Sequence, residues 1–154
     1  MRKKIFCWIV TLGPIGYLPA PGTMSTLFSL VLIMLFNFLK LSLLNYLTII
    51  LVTILFGFYA IYKSLFYFGT FNNDPREIVI DELIGTLITF IAIPFNAYTV
   101  LLGTLLFRFF DIVKPLGIKK IERCGKYFGI LADDIVAGIF SNIILHCIIL
   151  CIKF

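Results

Sequence analysis

Leu83–Phe107 reads LIGTLITFIAIPFNAYTVLLGTLLF, 25 residues without a charge. A bilayer core about 30 Å thick takes roughly 20 apolar residues per helix, so this run belongs in a membrane. It does not fit there as one helix. Pro94-Phe95-Asn96 interrupts it, because proline removes a backbone donor and asparagine favours a turn, and the run reads as a tight helical hairpin. Leu41–Tyr62 and Ile135–Ile152 are charge-free for a further 22 and 18 residues. The whole chain of 154 residues is 61% hydrophobic and 14% charged, whereas a soluble domain carries about 25% charged residues.

Membrane segments are expected at Thr23–Leu39, Leu43–Tyr62, Ile78–Pro94, Ala97–Val113 and Asp133–Ile152, the first, third and fourth being short for full spans. The fold class is all-α: a polytopic transmembrane helical bundle of about four to five segments. The first 22 residues imitate a secretion signal, yet Gly13, Pro14 and Gly16 interrupt the apolar stretch and Pro21 follows the only plausible cleavage point, Ala20. They are expected to stay attached as a short interfacial or re-entrant segment. No repeat, low-complexity tract or linker divides the chain, so residues 1–154 read as one membrane domain.

Basic residues accumulate on the cytoplasmic side of membrane proteins. With the N-terminus inside and five crossings, Arg2, Lys3, Lys4, Lys63, Arg76, Arg108, Lys114, Lys119, Lys120, Arg123 and Lys126 fall inside, and only Lys40 and Lys153 outside. All eight acidic residues fall on that same inner side. The net charge of +5 therefore reflects basic loops beside membrane helices, and no nucleic-acid partner is expected. Cys7, Cys124, Cys147 and Cys151 form neither a metal-ligand spacing nor a secreted disulfide framework.

Four polar clusters interrupt the apolar background, each at the inner end of a segment: Pro21-Gly22-Thr23, Asp74-Pro75-Arg76-Glu77 leading to Asp81-Glu82, Arg108 with Asp111 and Lys114-Pro115, and Asp133-Asp134 opening the last helix. Charge at membrane depth costs about 2.5–3.5 kcal/mol per group even on the mild insertion scale, so these residues need a compensating role. Residues three and four apart share a helix face, which puts Glu77, Asp81, Gly85 and Thr89 on one stripe, Thr104, Arg108 and Asp111 on another, and Asp134, Gly138, Ser141 or Asn142 and Leu145 on a third. Small residues beneath the acids let helices approach closely.

Converging carboxylates repel unless a hard cation joins them, and Mg2+ takes oxygen ligands, commonly one or two carboxylates with water and substrate phosphate. Asp81, Asp111, Asp133 and Asp134 are the candidate metal ligands, and Asp81, Glu82, Asp111 and Asp134 the candidate catalytic acids. Arg108 and Lys114 are the candidate phosphate-binding cations. Gly22 and Thr23 would add the free N–H groups of a helix start. Each cluster also has a plainer reading: an i,i+3 ion pair for Arg108 and Asp111, a dipole complement for Asp133-Asp134, an ordinary helix start with Thr23 as N-cap, and solvated loop charges for Asp74 and Glu77.

His146, the only histidine, lies deep in an apolar helix on the far half of the membrane and reads as packing or a local hydrogen bond. Trp8 and Tyr17 read as interfacial anchors. No Cys-x5-Arg loop, no Gly-x4-Gly-Lys-Ser/Thr loop and no Asp-x-Asp-x-Thr motif is present, which removes three other phosphate chemistries.

Ala20-Pro21-Gly22-Thr23, Ile78-Val79-Ile80-Asp81-Glu82 with Gly85, Phe107-Arg108 with Asp111 and Lys114-Pro115, and Gly129-Ile130 with Asp133-Asp134-Ile135 and Ala137-Gly138 stand in an order and approximate spacing that resembles the phosphatidylglycerophosphatase A family of bacterial membrane enzymes. The resemblance implies a Mg2+-dependent lipid phosphatase of the cytoplasmic membrane with its site facing the cytoplasm, removing the terminal phosphate of phosphatidylglycerol phosphate. It also carries over Asp81, Glu82, Asp111, Asp133 and Asp134 as matched acids and Arg108 and Lys114 as matched bases. A carboxylate-oriented water or a carboxylate nucleophile would each serve. The chain departs from the family pattern in three places: Met24-Ser25-Thr26 stands where the family continues x-Gly-Ser, Gly117 stands where a second proline is usual, and Tyr127 where a glycine is expected. The alternative is a small ion-coupled transporter, since intramembrane acids and broken helices also mark ion pathways. That reading requires polar residues reaching both faces, whereas the polar stripes fade toward the outer side.

Overall fold

A computed structural model of the chain describes residues 2–68, 75–115, 117–122 and 127–152. Asp74, Arg123, Cys124, Lys126 and Lys153, which entered the sequence reading, lie outside the described residues. The described elements are helical throughout: α1 (Arg2–Val10), a 3-10 turn (Ile15–Tyr17), α2 (Pro21–Phe38), α3 (Leu43–Phe68), α4 (Ile80–Thr89), α5 (Ala97–Val113), α6 (Ile118–Glu122) and α7 (Phe128–Ile152). Three of them, α2, α3 over Leu43–Leu65, and α7, are long and apolar enough to cross a membrane. Their outward faces carry large exposed apolar side chains such as Val31, Met34, Leu44, Leu51, Leu55, Ile143 and Leu150, the pattern of helices solvated by hydrocarbon.

The centre of the bundle is α4. Its ten residues span about 15 Å at 1.5 Å per residue, half a bilayer core, and nine of the ten are buried. It packs against α2, α3 and most extensively α7, while α5 packs on α7 and also touches α4. The expected segment Ile78–Pro94 is therefore corrected to a half-length helix followed by irregular backbone. Freed carbonyls at membrane depth need internal donors, and other helices supply them. Tyr46 Oη of α3 donates to Leu87 O at 2.9 Å, and Asn142 Nδ2 of α7 donates to Thr89 O at 3.0 Å and Ile91 O at 2.9 Å. His146 Nε2 lies 3.2 Å from Ile91 O, a contact to a segment distant in the chain, where packing or a local hydrogen bond was expected.

The hairpin break falls where proline and asparagine put it. Asn96 caps α5, its Oδ1 accepting from Tyr98 N at 3.0 Å and Thr99 N at 3.1 Å, and Thr99 Oγ1 accepts in return from Asn96 N. Hence α5 keeps the expected bounds, Ala97–Val113. Three expectations change. α3 runs six residues past Tyr62 to Phe68. α7 starts five residues before Asp133, so Asp133-Asp134 do not open the last helix but sit in its second turn. Thr23 is not an N-cap: α2 begins at Pro21 behind Ala20, which makes no side-chain cap, because proline is preorganised for the first helical position.

Candidate active site

At one end of the bundle α2, α4, α5 and α7 surround a cavity of about 300 Å³. Its walls are Ala20, Pro21, Gly22 and Thr23 at the start of α2, Pro75, Arg76 and Ile78 before α4, Asp81 and Glu82 in α4, Arg108, Asp111 and Lys114 at the end of α5, and Asp133 and Asp134 in α7. The nine residues expected from the sequence as catalytic, metal-binding or phosphate-binding all line this one cavity. Glu77 does not. It lies in the turn before α4, so the stripe expected to begin with it begins at Asp81.

Two glycines set the depth of the site. A Cβ on Gly138 would stand 2.5 Å from Gly85 O, and one on Gly85 would stand 2.7 Å from Asp134 O. The backbones of α4 and α7 therefore touch one turn below Asp81 and Asp134, which are four residues ahead of Gly85 and Gly138 respectively. Helix periodicity then puts both aspartates over the contact. The start of α4 is clamped from two sides: Val79 N donates to Val10 O at 2.9 Å, and Ser25 Oγ donates to Val79 O at 2.7 Å. Ser25 is one of the departures from the family pattern, and it ties α2 to the residue that leads into α4 and its acids.

Carboxylate oxygens of Asp81, Glu82 and Asp134 lie within 4.8 Å of one another. Within this group Glu82 Oε2 is buried with no hydrogen-bond donor. Asp111 and Asp133, expected among the metal ligands, stand beside this group in ion pairs. Asp111 Oδ2 accepts from Arg108 Nη1 at 2.7 Å, and Asp133 Oδ2 pairs with Lys114 Nζ. The i,i+3 pair of the plainer reading is present, and both of its members line the cavity.

Lys114 reaches Asp133 from an unusual backbone. It is the C-cap of α5 with φ 48°, a left-handed conformation that favours glycine and costs a side-chain-bearing residue about 1–2 kcal/mol. Ala20, at the mouth, is likewise left-handed with φ 55°. Burial grades the cavity from floor to mouth. Asp81, Asp133 and Asp134 are 4–5% exposed, Glu82, Arg108, Asp111 and Lys114 are half-buried, and Ala20, Thr23 and Arg76 are exposed.

Sequence reasoning placed the charged set but gave four other residues no part in building the site. Arg76 lines the mouth, Ser25 ties down the α4 start, and Asn142 with His146 ends α4. The last pair had a signal, two polar residues four apart in the mostly apolar second half of α7.

The family model for phosphatidylglycerophosphatase A matches residues 8–149. A protein of Bacteroides thetaiotaomicron named "Putative phosphatidylinositol-3-phosphatase" is 37% identical over 84% of this chain and 84% of its own. The phosphatidylglycerophosphatase A of Haemophilus influenzae is 36% identical over 84% of this chain and 79% of its own, and that of Escherichia coli K12 is 36% identical over 83% and 73%. No solved structure matches the chain. A cavity built from the residues of all four matched blocks and a family match running through nearly the whole chain lead to one conclusion: the chain belongs to the phosphatidylglycerophosphatase A family of bacterial membrane phosphatases.

Proposed function

We propose that the protein hydrolyses the terminal phosphate of phosphatidylglycerol phosphate to phosphatidylglycerol and inorganic phosphate, assisted by Mg2+, at the cytoplasmic face of the bacterial inner membrane. The observation that carries this reading is the charge balance of the cavity, where five carboxylates face three cations. Such a cavity repels a phosphate unless a cation enters with it, and one divalent ion removes the excess of two negative charges. The donor set suits that ion. Asp81, Glu82 and Asp134 offer oxygen ligands alone, the preference of Mg2+, and Glu82 Oε2 is a buried acceptor in want of a partner. The 11 to 2 division of basic residues supports the cytoplasmic orientation.

When bound, Mg2+ supplies Lewis-acid polarisation of the phosphoryl oxygens. The chain's own residues do the rest. Arg108 and Lys114 bind phosphoryl oxygens and stabilise the charge that develops on them, while Asp111 and Asp133 hold the two cations in place. The first N–H groups of α2, at Gly22 and Thr23, point an unsatisfied helix start at an anion. A floor carboxylate orients the attacking water and accepts its proton. The bond from phosphorus to the lipid alcohol breaks, and the leaving oxygen takes a proton to become the free hydroxyl of the product.

A second substrate has a specific observation behind it, the name of the Bacteroides relative, which points to a phosphoinositide monoester. Purified protein in detergent, assayed for phosphate release from phosphatidylglycerol phosphate, phosphatidylinositol 3-phosphate and phosphatidate, decides both reaction and substrate. Release from the first, abolished by chelator and restored by Mg2+, is the expected result. Full activity in Asp81→Ala or Asp134→Ala would overturn the site.

A further inference from the structure

The cavity's cations are not equivalent. Arg108 and Lys114 lie at half-depth and each is already held by an aspartate. Arg76 lines the same cavity, is exposed, and among the described residues makes no ion pair or hydrogen bond through its side chain. It is also presented on fixed backbone. Ile78 N donates to Pro75 O at 3.0 Å, closing a turn with Arg76 and Glu77 at its two central positions. Pro75 is buried, Val79 N is bonded to Val10 O, and Gly16 packs so tightly on Glu77 O that any Cβ there would collide with it. A guanidinium without a partner among the described residues, on a pinned turn at the mouth of an acid-floored cavity, is placed to meet an anion arriving from outside.

We propose that Arg76 is a specificity-determining residue that binds the second phosphate of the substrate, the diester joining headgroup to diacylglycerol. The inference rests on the proposed hydrolysis of a terminal phosphate. If that group reaches the aspartate floor, the part of the lipid left at the mouth is its diester, and Arg76 is the cation there. A guanidinium matches a phosphate's geometry with paired N–H donors. The chemistry is common to phosphatidylglycerol phosphate and phosphatidylinositol 3-phosphate, each of which has a monoester and a diester. Phosphatidate has only the monoester, so Arg76 would favour the two-phosphate lipids over it.

The experiment compares wild type with Arg76→Gln and Arg76→Lys in detergent, using short-chain forms of all three lipids. For the two-phosphate lipids Arg76→Gln should raise KM about tenfold while kcat stays within about twofold, the mark of a binding contact kept through the reaction. That penalty should exceed any penalty on phosphatidate, shrink at high salt as an exposed contact does, and be largely recovered by Arg76→Lys. Equal KM changes on phosphatidate and on the two-phosphate lipids, or none on either, would overturn the assignment while leaving the hydrolysis reading intact. Binding of short-chain phosphatidylglycerol, which holds the diester alone and cannot be dephosphorylated, gives a readout independent of turnover. It should weaken about tenfold in Arg76→Gln, and unchanged binding counts against Arg76. Weakened binding in a protein that hydrolyses none of the lipids would leave Arg76 as a diester site and overturn the proposed reaction instead.

Discussion

Gly22 lies directly against the carboxylate of Glu82: a Cβ there would collide with Glu82 Oε1 and stand 3.1 Å from Arg108 Nη1. A glycine at the start of α2 is thus what lets an acid of α4 and a guanidinium of α5 share one small space. Gly22→Ala should push the Glu82 head out of the three-carboxylate group. A displacement near 1 Å can cost about 100-fold in rate, whereas the side chain that must move is flexible and the expected stability loss is about 1–2 kcal/mol. Phosphate release and thermal unfolding measured on the same preparation check this. Near-normal activity in Gly22→Ala would show that Glu82 has no need of its present position.

Asp134 should trade stability for function. It is 4% exposed, its carboxylate lies within 4.8 Å of those of Asp81 and Glu82, and without a cation these charges repel at low dielectric. Asp134→Asn should therefore stabilise the metal-free protein by about 1–3 kcal/mol while abolishing hydrolysis. Wild type should gain about 2.7 kcal/mol at a Mg2+ concentration one hundred times its Kd, and the variant should lose most of that gain. Unfolding midpoints with and without Mg2+ read both effects, and an unchanged metal response in the variant removes Asp134 from the ligand set.

How far the sequence could be read depended on whether a boundary was set by its own residues. The α5 limits were legible because Asn96 and Thr99 form the cap locally and Pro94 precedes it. The charged residues of the site were legible because charge among apolar helices needs a reason. The length of α4 was not, since its C-terminal carbonyls are satisfied by Tyr46, Asn142 and His146, 41 to 55 residues away in the chain. The start of α7 was misplaced because Asp133 and Asp134 looked like a helix boundary. They are buried one turn inside it, and their partners come from other helices. Pairings such as Lys114 with Asp133 depend on how helices pack, and periodicity within one helix does not contain that information.

Asn142 should matter for stability far from the chemistry. Its amide donates to Thr89 O and Ile91 O, two carbonyls that no backbone N–H of a continuing helix can reach. Asn142→Ala leaves Thr89 O without that donor, at about 1–3 kcal/mol for a buried unsatisfied group, while Ile91 O keeps His146 Nε2 beside it. Asn142→Gln, which keeps the donor but lengthens the side chain, should recover only part of it. Unfolding in a fixed detergent checks the order wild type, Gln, Ala. Because α4 also carries Asp81 and Glu82, activity should fall with stability in Asn142→Ala, and full activity there would mean that the far end of α4 does not position its acids.

The ion pair of Lys114 with Asp133 offers the sharpest separation of structure from chemistry. Asp133 is 4% exposed, so Lys114→Met takes the ammonium away from a buried carboxylate, and breaking a buried pair from one side costs about 3–5 kcal/mol. Asp133→Asn should be milder, because Lys114 is partly exposed and its ammonium can turn to water. The double variant should be more stable than Lys114→Met alone, giving a coupling energy of a few kcal/mol in a double-mutant cycle. Activity should not follow that recovery. If Lys114 binds the phosphoryl group, the double variant stays as inactive as Lys114→Met despite its restored fold. If Lys114 serves only to neutralise Asp133, removing both charges together restores hydrolysis along with stability, and the role assigned to Lys114 in binding phosphate fails.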